Sequence, residues 1–170
     1  MITVLRLGHR IARDKRITTH VALVARAFGA DKIFITTKDI KVEDSVNLIS
    51  KKFGGTFSIE SGVNQNDILK NWNGTIVHLT MYGERVDEAI PKFNKKNDLL
   101  IIVGAEKVPI NIYEQADYNI SIGNQPHSEI AALAIFLDRY TKGLWTDKKF
   151  DGEVEIIPTN KGKNVIAHNR

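Results

Sequence analysis

The sequence has no cysteine among its 170 residues. This absence excludes disulfide bonds, thiolate zinc sites and cysteine nucleophiles. No apolar run approaches the roughly 20 residues that a membrane span requires, and no signal-peptide core follows the strand-like start of the chain. These absences predict a protein that neither spans a membrane nor depends on disulfides, and they fit a cytoplasmic location.

The common cofactor and metal motifs are also missing. No G-x-G-x-x-G follows the first apolar run, where Gly8 stands alone, and there is no P-loop, H-E-x-x-H or G-x-S-x-G motif. The histidines show no ligand spacing; they are His9, His20, His78, His127 and His168. We therefore predict no metal site. A nicotinamide-dependent oxidoreductase stays as an alternative, but it lacks its usual glycine fingerprint.

Positive charge is concentrated near the start of the chain. The formal net charge is +4, yet the first 26 residues hold six basic side chains against Asp14 alone, a net of +5. A basic cluster on an otherwise balanced chain indicates a polyanion-binding surface. A solvated loop explains the same charges equally well, so charge alone leaves both interpretations open.

Short apolar runs alternate with segments of helical periodicity. The runs are rich in Ile, Val and Leu, as strands covered on both faces are; they span residues 2–7, 32–36, 56–59, 75–80, 98–103 and 118–122. Strand–helix alternation predicts an α/β fold with a mainly parallel sheet and helices on both faces. In such sheets, ligands bind at the loops that leave the carboxyl ends of the strands.

Three apolar stripes predict helices. The first is Val21, Val24, Ala25 and Phe28, with Thr18 or Thr19 as the N-cap and Gly29 as the stop. The second is Val42, Val46, Ile49 and Phe53, ended by Gly54 and Gly55, and the third is Ile130, Leu133, Ala134 and Leu137. Beyond Gly143 only one apolar run remains, at 154–157, closed by Pro158. We predict one domain over 1–145 and a short strand-like extension over 146–170 that packs on it.

Three segments that follow predicted strands carry glycine where the strand ends. They are 77–83, 102–109 and 122–129, with Gly83, Gly104 and Gly123. Glycine lets the backbone approach a ligand closely. Each segment alone is explained as an ordinary turn between a strand and a helix. Together, at the same edge of a parallel sheet, they predict a single binding site.

The amino-acid sequences of these segments resemble those of the SPOUT methyltransferases. Gly104, Ala105 and Glu106 match the G-x-E of the second signature of that superfamily, and residues 128–135 resemble the helix of small and apolar residues in the third. Longer strings at 4–10, 13–16, 19–30, 78–83 and 123–134 resemble the archaeal tRNA cytidine-56 2′-O-methyltransferases over nearly the whole chain. This resemblance implies a C-terminal trefoil knot, which is rare among folds.

The resemblance also implies the activity and the cofactor. A protein of this family transfers a methyl group from S-adenosylmethionine to the ribose 2′-hydroxyl of cytidine 56 in the T-loop of tRNA. On this basis the expected cofactor-binding residues are Leu79 in the first segment, Gly104, Ala105, Glu106, Lys107 and Val108 in the second, and Ile122, Gly123, Asn124, Gln125, Pro126, His127, Ser128 and Glu129 in the third.

The catalytic residues depart from the wider pattern. Related ribose methyltransferases have an Asn-x-x-x-x-Arg element before the first helix, but residues 18–23 here contain neither the asparagine nor the arginine. We therefore predict a catalytic role for Arg10, Arg13 and Arg16, just upstream. An arginine is a poor base because it stays protonated. Its expected role is to clamp phosphates and to lower the pKa of the target hydroxyl, with water or His20 accepting the proton. Simple phosphate binding is the alternative.

The expected partners are tRNA and a second copy of the chain. The helix at 128–140 is apolar over more than one stripe, which is typical of a core element or a subunit contact, and the resemblance implies a homodimer. The alternative activities are a knotted RNA base or pseudouridine methyltransferase and a non-enzymatic tRNA-binding module. The missing cysteine excludes methylation of pyrimidine C5 through a covalent thiolate.

Overall fold

A six-stranded parallel sheet lies at the centre of the computed structural model, which describes residues 1–104 and 107–168. The strands are β1 (Ile2–Leu7), β2 (Lys32–Ile35), β3 (Ser58–Ser61), β4 (Thr75–Arg85), β5 (Leu99–Gly104) and β6 (Tyr118–Ser121). Their order in the sheet is β3-β2-β1-β5-β4-β6, and all five pairings are parallel. The apolar runs of the sequence thus become strands, because strands buried on both faces need apolar side chains on both.

Helices cover both faces of the sheet. They are α1 (Ile11–Ala27), α2 (Ile40–Phe53), α3 (Gln65–Asn71), α4 (Val86–Ala89), α5 (Ile110–Gln115) and α6 (Glu129–Thr141). Side chains of α1, α2 and α6 pack in one core with Ile101 and Val103 of β5. Leu69 of α3 and Ile112 of α5 pack in a second core with the alternate residues, Leu100 and Ile102. The predicted α/β class with helices on both faces is confirmed, while the trefoil knot stays a prediction.

The predicted start of the first helix is wrong. The α1 helix begins at Ile11, not after Thr18 or Thr19. Thr18 lies inside the helix, with its hydroxyl 2.8 Å from Nδ1 of His9, and the Thr19 hydroxyl donates to the carbonyl of Lys15. The early turns carry few apolar side chains because most of their residues face solvent, so no apolar stripe marked them.

Most strand boundaries lie within one or two residues of their predicted positions. The end of β4 differs most from the prediction. There the predicted strand 75–80 continues to Arg85, because pairing with β6 resumes after an interruption: Leu79 and Glu84 both lie opposite Ile120. Residues 80–83 therefore bulge out of the sheet. The other predicted ends move by one or two residues, as for β3, which begins at Ser58 where it starts to pair with β2.

The last part of the chain forms a separate hairpin. Strand β7 (Val154–Ile157) coincides with the predicted run, and it pairs antiparallel with β8 (Asn164–Ala167), which the sequence did not predict. Ahead of the hairpin, the Phe150 ring lies 4.7 Å from the Arg26 guanidinium carbon. In the described part of the chain, no helix has both the length and the apolar character needed to cross a membrane.

Candidate active site

A cavity of about 620 Å³ opens at the carboxyl edge of the sheet. It lies at the bulge of β4 and at the ends of β5 and β6, so the three glycine-bearing segments meet around it, as the sequence predicted. The wall of the cavity contains His78, Leu79, Thr80, Met81, Tyr82, Val103, Gly104, Lys107, Val108, Tyr113, Ile120, Ile122, Gln125, Pro126, His127, Ser128, Glu129 and Ala132. Its volume is in the range of small-molecule and cofactor sites, about 300–1,000 Å³.

The bulge at 80–83 is fixed to the third turn and to β6. The side-chain amide of Asn124 donates to the carbonyl oxygen of Met81 at 2.8 Å. A Cβ atom on Gly83 would lie 2.4 Å from the carbonyl oxygen of Asn119, so only glycine fits against this backbone. The first and third turns are therefore held together before any ligand arrives.

The third turn is folded on itself. The Nε2 atom of His127 lies 2.8 Å from the carbonyl oxygen of Ile122, and Gly123 adopts a positive φ of 80° that side chains rarely allow. The Ser128 hydroxyl accepts a hydrogen bond from the backbone N–H of Ile130 at 3.1 Å, which caps α6. The turn thus has its shape fixed by internal bonds, which is the preorganisation that a binding loop needs.

Two polar contacts connect β4 at the cavity to its neighbours, one to α5 and one to β6. The hydroxyls of Thr80 and Tyr113 lie 3.1 Å apart, and Nδ1 of His78 lies 2.9 Å from the side-chain oxygen of Asn119. Burial lowers the pKa of His78, and the bond with Asn119 only partly opposes this shift. The imidazole is therefore neutral at physiological pH.

Ten of the predicted cofactor residues line this cavity: Leu79, Gly104, Lys107, Val108, Ile122, Gln125, Pro126, His127, Ser128 and Glu129. Two others, Gly123 and Asn124, shape the third turn without lining the cavity. Ala105 and Glu106 lie outside the described residues. The sequence did not single out Tyr113, since the short helix α5 carries no stripe that would have shown it.

The three predicted catalytic arginines lie at the start of α1, and none of them lines the cavity. Asp14 accepts hydrogen bonds from Nε and Nη2 of Arg10 at 2.8 and 2.9 Å. These bonds, more than the nearby charges, hold the pKa of Asp14 well below its usual range. Arg13 and Arg16 are exposed, as is His20, which also does not reach the described cavity wall.

A fourth arginine was missed by sequence reasoning. Arg6 of β1 is completely buried, and its Nη2 atom lies 2.9 Å from Oε1 of Glu129 on the cavity wall. The one available signal was a charged residue inside an otherwise apolar strand, Ile2–Leu7. Such a residue needs a partner, but nothing local identifies it.

The residues present fit S-adenosylmethionine. The lining includes the apolar residues Leu79, Val103, Ile120 and Ala132, which suit a nucleobase, together with residues of the second and third turns. The Glu129 carboxylate offers a partner for positive charge. The described residues contain no group of three or more His, Cys, Asp or Glu that could hold a metal ion.

Comparisons with known proteins agree with this geometry. The family described as "tRNA ribose 2′-O-methyltransferase, aTrm56" matches residues 53–166. A tRNA (cytidine(56)-2′-O)-methyltransferase of Thermococcus kodakarensis is 55% identical over 174 residues, covering 98% of this chain and 97% of that protein. A protein of the same name from Picrophilus torridus is 54% identical over 165 residues, covering 97% of this chain but only 48% of that protein.

A solved structure supports the fold. The SpoU methyltransferase AviRb from Streptomyces viridochromogenes, in complex with the cofactor AdoMet, matches with a TM-score of 0.62 at 12% identity, covering 84% of this chain and 57% of that chain. At such low identity the likeness concerns the fold alone. The family match and the high identity over nearly the whole chain go further: this chain belongs to the aTrm56 family of tRNA ribose 2′-O-methyltransferases.

Proposed function

We propose that this protein transfers the methyl group of S-adenosylmethionine to the ribose 2′-hydroxyl of cytidine 56 in the T-loop of tRNA. The observation that carries the proposal is the meeting of three turns at one cavity in a chain of this family. A non-enzymatic tRNA-binding module would not need that cavity. The name shared by the relatives from Thermococcus and Picrophilus supports the choice of nucleotide.

The cofactor is assigned to the ten lining residues of the three turns. When bound, it supplies a methyl group that its positive sulfonium already activates. The protein then has to bind the cofactor, orient it against the hydroxyl and exclude water. The turns suit this work because Asn124 joins the third to the first and Gly83 seats the first against β6. Ala105 and Glu106 are assigned to the same site by the resemblance alone, since they stand between Gly104 and Lys107 in the sequence.

The arginines at the start of α1 are assigned to the tRNA. They follow β1, whose carboxyl end lies at the same edge of the sheet as the cavity. Arg10 is held by Asp14, whereas Arg16 is exposed. Guanidinium groups bind phosphate in a bidentate manner and stay charged. We assign them to the phosphates beside the target ribose, where their charge favours ionisation of the 2′-hydroxyl, and we assign the proton to water.

The arginine assignment is tested with Arg16→Ala. Methyl transfer is expected to fall about 100-fold or more, by analogy with the loss of a single charge-stabilising donor, while the affinity for S-adenosylhomocysteine changes less than about twofold. The matched control is Arg139→Ala, since Arg139 is an exposed arginine on α6 that pairs with Asp87. Equal losses of rate and cofactor affinity in Arg16→Ala would contradict the assignment.

The substrate is tested by methyl transfer from labelled S-adenosylmethionine to unmodified tRNA transcripts, with the product nucleotide mapped. We expect label at cytidine 56 and none in a transcript that carries 2′-deoxycytidine there. Label in the deoxy transcript would move the chemistry from the sugar to a base. Calorimetry with S-adenosylhomocysteine and with NAD separates the enzyme from a binding module and from an oxidoreductase.

A homodimer in the cytoplasm completes the proposal. Helices α1 and α6 pack side by side, and they expose Ile11, Ile17 and Ile135 at 55%, 40% and 40% of their surface. Exposed apolar side chains on adjacent helices fit a subunit contact. We also propose that residues 1–145 form the methyltransferase domain and that 146–170 pack on it as an extension. Sedimentation of the full chain, with Ile135→Glu as the disrupting variant, tests the dimer.

A further inference from the structure

Arg6 is a charged residue in the most buried part of the molecule. Its backbone pairs with β2 on one side and with β5 on the other, and its side chain is 1% exposed. Moving a guanidinium out of water has a large cost in free energy. Burial lowers the pKa of Arg6, and the carboxylates of Glu129 and Asp14 oppose that shift. The position therefore requires an explanation beyond packing.

The partners of Arg6 are few. Its Nη2 atom lies at an ion-pair distance of 2.9 Å from Oε1 of Glu129, but none of its three side-chain nitrogens makes a hydrogen bond of good geometry with the described residues. Buried ion pairs stabilise a fold only when the remaining hydrogen-bonding groups are satisfied. Since Arg6 does not meet this condition, stability alone does not account for it, and a functional role does.

The other member of the pair faces the cavity. Glu129 is the first residue of α6, its side chain is 23% exposed, and it is the one carboxylate among the described residues that line the cavity. One oxygen is held by Arg6 from behind, so the carboxylate has a defined position in the wall. A charge fixed in the wall of a cavity interacts by Coulomb's law with the charge of a ligand bound beside it.

The two forms of the cofactor differ in charge. S-adenosylmethionine carries a positive sulfonium, and S-adenosylhomocysteine carries a neutral thioether at the same place, while their amino-acid and adenosine parts are the same. A carboxylate in the wall distinguishes them through this one charge. We propose that Glu129, held by the buried Arg6, makes the cavity prefer the methyl donor over the spent product. This proposal rests on the proposed function and adds to it a means of product exchange.

Arg6 is a positioning residue in this scheme, since it acts through Glu129. It also lies close enough to Asp14 to feel its charge, and Asp14 holds Arg10. Charges therefore alternate in sign from the cavity wall through Arg6 and Asp14 to the first turn of α1. The negative charges of Glu129 and Asp14 compensate the positive charge of the buried Arg6, while the Glu129 carboxylate stays in the cavity wall.

The test is calorimetry of both cofactor forms with the full-length protein. Glu129→Gln keeps the shape of the side chain and removes its charge, so we expect S-adenosylmethionine to bind about tenfold more weakly and S-adenosylhomocysteine to change less than about twofold. Arg6→Met leaves the Glu129 carboxylate without its cation, so the carboxylate is free to turn away. We therefore expect Arg6→Met to weaken the binding of S-adenosylmethionine as well. The double variant should be no worse than Glu129→Gln alone, because the two residues act as one unit.

The control is Arg139→Met, which breaks an exposed ion pair with Asp87 on the same helix and should leave both affinities unchanged. Equal weakening of the two ligands by Glu129→Gln, or additive effects in the double variant, would overturn the proposal. If the single variants unfold in a thermal melt, the double variant, which removes both charges of the pair, carries the test and must lose the preference. Failure of the wild-type protein to bind either ligand would instead refute the proposed function.

Discussion

The two edges of the sheet use their carboxylates in different ways. At the amino edge, Asp31 and Asp117 each accept a backbone N–H at the start of a strand, from Ile2 and Ile76, at 2.7 Å. At the carboxyl edge, the carboxylates of Asp14, Asp39 and Glu129 contact the side chains of Arg10, His9 and Arg6. The carboxylates of the amino edge therefore bind the first backbone N–H groups of strands, whereas those of the carboxyl edge hold arginine and histidine side chains in place.

The ion pairs of the two edges also differ in how far they are exposed to solvent. The ion pair of the N-terminal ammonium with Asp98, at the amino edge, has both groups 49% exposed, whereas His9 and Asp39 are 0% and 4% exposed. Exposed pairs contribute little to stability, and buried ones are costly to break. The carboxyl edge is therefore the edge where substitutions should have large effects.

Gly83→Ala should have the largest effect. The added methyl would meet backbone atoms of Asn119 and Ile120 at 2.4–2.5 Å, so β4 and β6 must separate. We expect a loss of about 3 kcal/mol in the free energy of unfolding, measured by urea denaturation, together with loss of cofactor binding. The control is Gly162→Ala in the C-terminal hairpin, where a methyl meets nothing within 4 Å but φ is +86°; its loss should be smaller, about 1–2 kcal/mol from backbone strain alone.

His9→Ala should have the next effect in size. Its ring joins Asp39 at 3.0 Å to the Thr18 hydroxyl at 2.8 Å, so it connects the loop after β1 to the start of α2 and to the middle of α1. Removing it leaves two buried polar groups with fewer partners, and we expect a loss of about 2 kcal/mol in the free energy of unfolding. A loss below about 0.5 kcal/mol would show that these buried contacts matter no more than exposed ones.

Asp117→Ala tests the amino edge. The substitution removes the acceptor of one backbone N–H, that of Ile76, and should reduce the free energy of unfolding by about 1 kcal/mol. The affinity for S-adenosylhomocysteine, measured by calorimetry, should not change, because the residue lies at the opposite edge from the cavity. A weakened cofactor affinity would mean that the two edges are coupled, and it would contradict the expectation that the amino edge does not affect the cavity.

The smallest effect expected is a gradual loss of stability in acid. Hydrogen bonds from Arg10 lower the pKa of Asp14; burial acts to raise that of Asp39, but bonds from His9 and from the amides of Val42 and Lys41 outweigh it and lower the pKa. The unfolded chain then binds protons more readily than the native protein, so this stability is complete above the ordinary aspartate pKa of about 3.9. It is lost as the pH falls below that value.

The measurement is thermal unfolding between about pH 5 and pH 3. Asp14→Asn should flatten the decline of the melting temperature, because its carboxylate no longer titrates. Asp31→Asn, at the amino edge, serves as the control. An unchanged slope in Asp14→Asn would show that the bonds from Arg10 do not contribute to the acid sensitivity.

Local patterns in the chain predicted most of the fold. The alternation of apolar runs and stripes was enough for the six strands of the sheet and the ends of α1 and α2 at Gly29 and Gly54, because burial on both faces and helix termination are local properties. The early turns of α1 were missed, since most of their side chains face solvent. The helix α5 and its Tyr113 were missed because a helix of six residues is too short to show a period.

Sequence patterns predicted the six strands of the sheet, three of the helices and the glycines of the three turns, and the resemblance to a family supplied the activity to test. Only the tertiary structure decided which charges meet. Arg6 and Glu129 are 123 residues apart in the sequence and come together because β1 lies beside β5 in the sheet while α6 packs against α1. Apolar periodicity depends on neighbours in sequence, but the partner of a buried charge depends on the topology of the whole sheet.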